Sequence, residues 1–578
     1  MKDKLGAIGD YVQEAMASWQ IPGVALAVLH GDDVLHMAGY GVRDVEEGLP
    51  VTPETRFAIA SMTKAFTAMG VALLVDEGKV KWDTPVREYF PAFKLKDDYA
   101  SDHITLRDML SHRSGLPRHD LAWYGSTATR EQIVHSVRYH EPNKTFREGW
   151  EYQNAMYVTA GYITGLVAGT TWEEFIQARI FDCLGMSGSS LYLADMLKGE
   201  HSMPYRIRRE KGQPNRVEKM PFYDNPVMGP AGNIFSNLTD LAKWLTVHLN
   251  DGRYGDIQLV SPGNLAEMHK PQMIMPVDGL GEKLRGTTIA AYGMGWFVEP
   301  YKGYTLVQHG GNIDGFSLNI AFVPQEKIGV VILTNIDGKP LRDSLTYEVV
   351  DRLLGLPDND WNGKYHAIWA EFEKAQDQER ETTDTERVPN APPTHPLSDY
   401  EGEYVADGYA DFRVTVDGDR LAGFLIGNWW PLNHYHYDVF ELDLDRFELR
   451  MKITFQTDTR GNIVSASIPI EPTVKEIVFT RKPVVLGGDL LQSLAGVYDF
   501  PLDGVYLTVT HKPDGKLFAQ LTGQPEIELI PYQATDGGAE FNLKDQPNTR
   551  LEFAREDGKL VAVIKQFGGV YRAPRVEG

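Results

Sequence analysis

The feature that most limits how this chain can fold is a break near residue 385. Glu381-Thr382-Thr383-Asp384-Thr385-Glu386 and Pro389-Asn390-Ala391-Pro392-Pro393 are polar and proline-rich. Such a stretch buries little and reads as an interdomain linker. Before it, strand-like and helix-like patterns alternate. Val24 to Leu29 and Val34 to Tyr40 flank Gly31-Asp32-Asp33, a hairpin signature, and the apolar runs Tyr304 to Val307, Phe316 to Val323 and Val330 to Leu333 close the region. Helical spacing occupies Ile104 to Leu110, Tyr157 to Val167 and Asp240 to Leu249. Strands at both ends with helices between them predict an α+β domain over 1–365 whose sheet joins its first and last segments. A helix around His366 to Glu379 and the linker fill 366–396.

From Leu397 the pattern changes to short alternating strands. They are separated by turns such as Asp417-Gly418-Asp419, Thr459-Arg460-Gly461-Asn462 and Pro513-Asp514-Gly515, which predict all-β modules. Tyr400-Glu401-Gly402-Glu403-Tyr404 recurs as Leu494-Ala495-Gly496-Val497-Tyr498, and each opening leads to a basic or Tyr-Arg ending, near Arg481 and Arg572. The common length favours two small antiparallel barrels, 397–483 and 490–578, over one large sandwich, with Val484 to Asp489 between them.

Composition excludes some functions. The 578 residues, 42% of them hydrophobic, supply several cores, and a net charge of −23 without a Lys/Arg block argues against a nucleic-acid partner. The lone cysteine, Cys183, rules out an internal disulfide, and its setting in Phe181-Asp182-Cys183-Leu184-Gly185-Met186 reads as a buried structural thiol in a packed turn. Met1-Lys2-Asp3-Lys4-Leu5 lacks the apolar core of a signal peptide, and no apolar run has the length of a membrane span. A cytoplasmic location with no membrane partner is therefore expected, and homo-oligomerisation is left open. His434-x-His436 lies in an aromatic run with Trp429, Trp430, Tyr435 and Tyr437, which reads as barrel packing; no metal and no cofactor is expected.

Chemistry concentrates at Ser61-Met62-Thr63-Lys64. A serine hydroxyl is a poor nucleophile near neutral pH, and a base three residues on along a helix shares its face. Phe66, Met69, Leu73 and Leu74 predict one buried stripe of such a helix, with Gly78 at its stop. Ser61 would then sit near unpaired N–H groups able to stabilise an oxyanion. Lys64 is a base only when neutral, a state that burial or a neighbouring cation would favour. Two further motifs stand in the same region. Tyr152-Gln153-Asn154 puts a phenol and an amide on a loop before a helix, and the glycines of His309-Gly310-Gly311 at a strand end would let a substrate approach the backbone.

In order, Ser-x-x-Lys, Tyr-x-Asn and His-x-Gly resemble the serine β-lactamase and penicillin-binding-protein superfamily. The first domain is most similar to its class C, esterase and D-aminopeptidase branch. Phe57-Ala58-Ile59-Ala60, Ile104 to Pro117 and Ala231-Gly232-Asn233-Ile234-Phe235-Ser236 support this, and the resemblance covers roughly residues 10–350. The tail resembles the lipocalin-like barrels of D-aminopeptidase-type members.

The resemblance implies a β-lactamase/transpeptidase-like fold and an acyl-enzyme on Ser61. Lys64 and Tyr152 would share proton handling, with the tyrosine pKa lowered by Lys64 and the identity of the acylation base open. Asn154 would bind the substrate amide and hold Lys64, and the backbone N–H groups of Ser61 and Asn312 would form the oxyanion hole. A loop from a tail barrel would restrict substrate size. Penicillin-recognising members usually carry Lys-Thr-Gly at the third motif. His309, mostly neutral near pH 7, would attract a free carboxylate less strongly, which favours small amides, peptides or esters over β-lactams and D-Ala-D-Ala carboxypeptidase substrates. The leading expectation is a D-aminopeptidase or amidase-like serine hydrolase. Carboxylesterase, β-lactamase or carboxypeptidase, and non-catalytic binding protein are the alternatives.

Overall fold

A run such as Val24 to Leu29, apolar at every position, must be covered on both faces, and it is. The computed structural model describes all residues except 210–212, 278, 280, 445–448, 536–537, 547–548, 567–568 and 577–578, with backbone only for 379–384. The chain divides into two units, Met1–Thr385 and Glu386–Gly578.

The first unit is built on one antiparallel sheet. Strands β1 (Gly23–His30), β2 (Asp33–Asp44), β3 (Leu49–Pro50), β4 (Met273–Met275), β5 (Ala290–Tyr292), β6 (Phe297–Tyr301), β7 (Tyr304–Ile313), β8 (Phe316–Val323) and β9 (Ile328–Thr334) lie in the order β4-β5-β6-β7-β8-β9-β1-β2-β3. β1 pairs with β9 from Val24–Thr334 to His30–Ile328, so the first and last segments join as predicted. Ala25, Ala27 and Leu29 enter one core, and Val24, Leu26 and Val28 enter another on the opposite face. That alternation within a single strand is the period-2 rule with both faces buried.

Helices cover the two faces. α1 (Ile8–Trp19), α6 (Leu341–Leu354) and α7 (Trp361–Thr383) supply Val12, Leu345 and Trp361 to one core, whereas α2 (Thr63–Asp76), α4 (Asn154–Ala168) and α5 (Leu238–Leu249) supply Phe66, Met156 and Leu241 to the other. A short α3 (Leu106–Leu110) starts with a capping box between Thr105 and Asp108.

Three expectations need correction. α2 does not carry one buried stripe: Thr63 through Leu74 are all buried, because the helix runs through the middle of a core and is apolar around its whole circumference. α7 continues to Thr383, so the polar stretch from Glu381 is partly helix, and the division falls at 385/386. Cys183 is exposed: it lies on the outer face of an uninterrupted helical run over 172–184, whose inner face carries Phe175, Ile176, Ile180, Phe181 and Leu184.

The second unit contains two eight-stranded sheets. The first closes into a barrel between Gly402–Val405 and Ile477–Arg481. In the second, running from Gly496–Asp499 to Gly569–Pro574, the ends meet through an antiparallel bridge between Tyr498 and Arg575. The predicted repeat has a physical basis. Tyr404 donates its hydroxyl proton to the Tyr400 carbonyl at 2.7 Å, and Tyr498 does the same to Leu494 at 2.6 Å. Gly402 and Gly496 have φ of +150° and +157°, and a Cβ on either would press within 3 Å of an arginine Nε, of Arg481 and Arg575 respectively. Arg481 donates to the carbonyls of Glu401 and Ile463, and Arg575 to those of Ser493 and Ala495. The counterpart of Arg481 is therefore Arg575. Arg572, the expected one, instead pairs with Glu556 on an exposed strand face.

Candidate active site

The segment leading into Ser61 is clamped on both sides. Phe57–Ala58 pairs with Phe235–Ser236, and the Ile59 N–H donates to the Ile234 carbonyl at 2.9 Å. Ala60 adopts φ of +49°, a left-handed conformation that costs a non-glycine residue on the order of 1 kcal/mol. Ser61 sits on a 3-10 turn, Ala60–Met62, immediately before α2 rather than in the helix itself. β7 passes against this turn. A Cβ on Gly311 would lie 2.3 Å from the Ile59 carbonyl oxygen, so this glycine admits the turn that carries Ser61, where the sequence suggested an approaching substrate.

Lys64 is fully buried, with Nζ 3.0 Å from Ser61 Oγ and 2.7 Å from the carbonyl of Ala231. Burial, followed by the nearby Arg118 cation, holds its pKa well below the ordinary lysine value. The Ala231 to Ser236 segment thus serves the site directly, since its backbone anchors Lys64, and the adjoining Pro230 carbonyl accepts from Thr67 one turn later.

Tyr152 is presented by a loop zipped to the end of α3. Buried Asp108 receives Arg113 Nε at 2.5 Å and Arg147 Nη2 at 2.7 Å. Glu151 N–H donates to the His112 carbonyl at 2.8 Å, Gln153 N–H to His112 Nδ1 at 3.1 Å, and Gln153 Nε2 to the Pro117 carbonyl at 2.6 Å. Lys64 Nζ then lies 4.9 Å from the Tyr152 ring centroid, and Ser61 is near enough to the phenol to lower its pKa. Its pKa is raised, chiefly by burial, against the expected lowering. The reason is that burying the phenol disfavours its charged form by more than Ser61 and the Arg118 cation return.

His309 is 1% exposed. Its Nδ1 lies 2.7 Å from the Gly310 carbonyl, which can only accept, so Nδ1 carries the proton and Nε2 accepts from the Tyr292 hydroxyl at 2.8 Å. Burial, then Lys64, pushes its pKa down to about 3. Both ring nitrogens are engaged with protein. Asn154 Nδ2 donates to Asp120 Oδ1 at 2.9 Å, while Lys64 is held by Ala231 and Ser61 in place of the expected Asn154. Asn312 Oδ1 accepts from Ser317 Oγ and Arg342 Nη1, each at 2.9 Å, and the same Arg342 nitrogen donates to the Gly311 carbonyl at 2.7 Å. Gly310 lies opposite the same guanidinium.

Ser61, Lys64 and Tyr152 therefore meet directly, and the third motif packs behind them. Sequence reasoning assigned no role to His112, Arg118, Asp120, Tyr292 or Arg342. His112 and Arg118 lie within or just after the Ile104 to Pro117 phrase, whose density of Arg, His and Ser was the available signal. Among the described residues there is no group of His, Cys, Asp and Glu able to hold a metal ion and no helix long and apolar enough to cross a membrane.

The sequence model of the Beta-lactamase family matches residues 8–354. The chain belongs to that family. A second model, described as a domain of unknown function (DUF3471), matches residues 386–481, the segment that ends with the first barrel. Among curated relatives, the unguisins hydrolase ungD' of Aspergillus campestris is 31% identical over 426 residues, covering 71% of this chain and 78% of its own. Protein flp of Staphylococcus aureus is 25% identical over 342 residues, 58% of this chain and 64% of its own. Among solved structures, the octameric penicillin-binding protein homologue from Pyrococcus abyssi is similar with a TM-score of 0.55 at 25% identity, covering 82% of this chain and 100% of that one. The first unit is accordingly a Beta-lactamase-fold serine hydrolase domain, and two barrel-like sheets follow it.

Proposed function

We propose that the chain hydrolyses small amide and peptide substrates through an acyl-enzyme on Ser61, in the manner of a D-aminopeptidase or amidase. One observation carries the reading. Around a single hydroxyl, the same burial drives Lys64 toward its neutral form and keeps Tyr152 a phenol, and titratable neighbours pushed apart in this way divide into base and acid.

Neutral Lys64 accepts the Ser61 proton as Oγ attacks the substrate carbonyl. The backbone N–H groups of Ser61 and Asn312 receive the oxyanion. When the C–N bond breaks, Tyr152 gives its proton to the leaving nitrogen, and the proton on Lys64 returns to the phenolate. Water then attacks the acyl carbonyl, loses a proton to the same pair, and Ser61 Oγ leaves reprotonated. Asn154 contacts the substrate amide. An acid poised for the leaving group matters more for amides than for esters. A neutral, fully engaged His309 offers no cation to a substrate carboxylate, and the name of the 31%-identical relative supports hydrolysis as the reaction.

D-alanine and L-alanine p-nitroanilides, a p-nitrophenyl ester series and nitrocefin test the reading side by side. D-alanine p-nitroanilide is expected to turn over fastest relative to its uncatalysed rate. Turnover of esters alone would make the protein a carboxylesterase, and nitrocefin turnover comparable with the best amide would overturn the role given to His309. No turnover, with Ser61 unlabelled by a fluorophosphonate in folded protein, would leave a binding protein. Similarity to an octameric homologue supports a homo-oligomer, which light scattering on the full chain tests.

A further inference from the structure

The mouth of the site carries charges that the proposed proton chemistry does not use. Arg118, in Leu116-Pro117-Arg118-His119-Asp120, holds its guanidinium carbon 4.9 Å from the Tyr152 ring centroid. Its Nε donates to Asp120 Oδ2 at 2.6 Å, and Asp120 Oδ1 receives the Asn154 amide at 2.9 Å. The Arg118 side chain is 55% exposed and that of Asp120 26% exposed. An arginine cannot shed its charge in a protein, so a fixed cation and its carboxylate partner stand beside the three groups that must exchange protons.

We propose that Arg118 and Asp120 are a positioning charge pair that sets the pH at which Ser61 becomes nucleophilic, with Arg118 promoting the deprotonated site and Asp120 restraining it. This rests on the acyl-enzyme reading of Ser61.

The surroundings single this pair out. His112 from the turn after α3 and His309 from β7 are held neutral by burial, while Tyr157 from α4 and Tyr292 from β5 are held as phenols. Arg342 from α6 acts on His309 at the back of the site. Arg118 and Asp120 are the charges felt with opposite sign at both Lys64 and Tyr152, and Arg118 has the larger effect at each. The direction is therefore the same whether Lys64 or Tyr152 serves as the base.

The experiment follows the rate of Ser61 labelling by a fluorophosphonate between pH 5 and 10 on the full chain, read by intact mass, so that it needs no known substrate. R118Q is expected to move the rising limb to higher pH by about 0.5 to 1 pH unit, and D120N to lower pH by a similar amount. R118K, which keeps the charge, is expected to return the limb toward wild type. High salt is expected to move wild type toward R118Q and to move R118Q, where Asp120 acts alone, to lower pH. Shifts of one sign in both variants, no shift in either, or a flat wild-type profile would overturn the proposal while the labelled Ser61 stands. Absence of label on wild type would remove the acyl-enzyme reading and this inference with it. Thermal melts at pH 7 establish that each variant is folded.

Discussion

Lys64 in the first unit and Arg481 in the second are both cations drawn toward backbone carbonyls, and they end in opposite states. Lys64 is wholly buried with one carbonyl and one hydroxyl, too few partners to hold an ammonium, and its pKa falls. Arg481 is half-buried and reaches two carbonyls at the seam of its barrel, which a permanent planar cation can bridge. The difference separates chemistry from architecture: the residue that can lose its proton stands beside the proposed nucleophile, and the one that cannot closes a sheet.

Exchanging the two cations breaks the comparison most sharply. Lys64→Arg puts a charge that cannot be discharged into the same pocket. Turnover is expected to fall more than about a thousandfold, as for Ser61→Ala, and stability by about 3 kcal/mol, a loss that Ser61→Ala should not share. Steady-state kinetics and thermal melts separate the two effects. Residual activity in Ser61→Ala above about a thousandth of wild type would count against Ser61 as the nucleophile.

Tyr152→Phe comes next. Amide turnover is expected to drop by about a hundredfold and p-nitrophenyl ester turnover by less, because only the amide needs its leaving group protonated. Equal losses on both would remove the acid role.

On the architectural side, Arg481→Ala is expected to cost about 2 kcal/mol of stability in the second unit. Arg575→Ala, at the more exposed copy of the same clasp, should cost about half as much. Chemical denaturation of the full chain, followed by probes in each unit, measures this, and equal costs would mean that the two clasps do not differ as their exposure suggests.

The smallest effect concerns Asp337, a charged group that neither device rescues. Burial, then the Asp314 charge, pushes its pKa up to about 7. A raised carboxyl contributes stability that is full below its unfolded value, about 4, and is lost as pH rises through about 7. Asp337→Asn should therefore gain about 1 kcal/mol at pH 8, a figure reduced for its partial exposure, and almost nothing near pH 4. Melts across that range decide it.

Much of this was legible in the sequence. β1, β8 and β9 announced themselves as apolar runs, and the Gly-x-Tyr repeat marked two modules because the same clasp requires the same glycine and tyrosine in each. That Ser61, Lys64 and Tyr152 meet was readable because the proposed chemistry restricts residue type. What escaped depends on neighbours distant along the chain. The direction of the Tyr152 pKa follows from how deeply the loop docks, and Gly311 yields to Ile59, some 250 residues earlier. Arg118 is an ordinary surface arginine until α4 and its preceding loop bring Tyr152 beneath it. Cys183 misleads only when read within its six-residue setting: over 172–184 the helical spacing of Phe175, Ile176, Ile180, Phe181 and Leu184 leaves the thiol on the outer face.

The pairing of β1 with β9 also bears on how the protein is made. β1 and β2 leave the ribosome early, whereas the strand that covers the other edge of β1 is synthesised some 300 residues later. Throughout that interval the nascent chain carries a hairpin with apolar side chains on both faces of β1 and one unpaired edge, the kind of surface that recruits wrong partners. Native closure of the sheet must wait for the helical region to be produced, so chaperone demand should be greatest before residue 328 emerges.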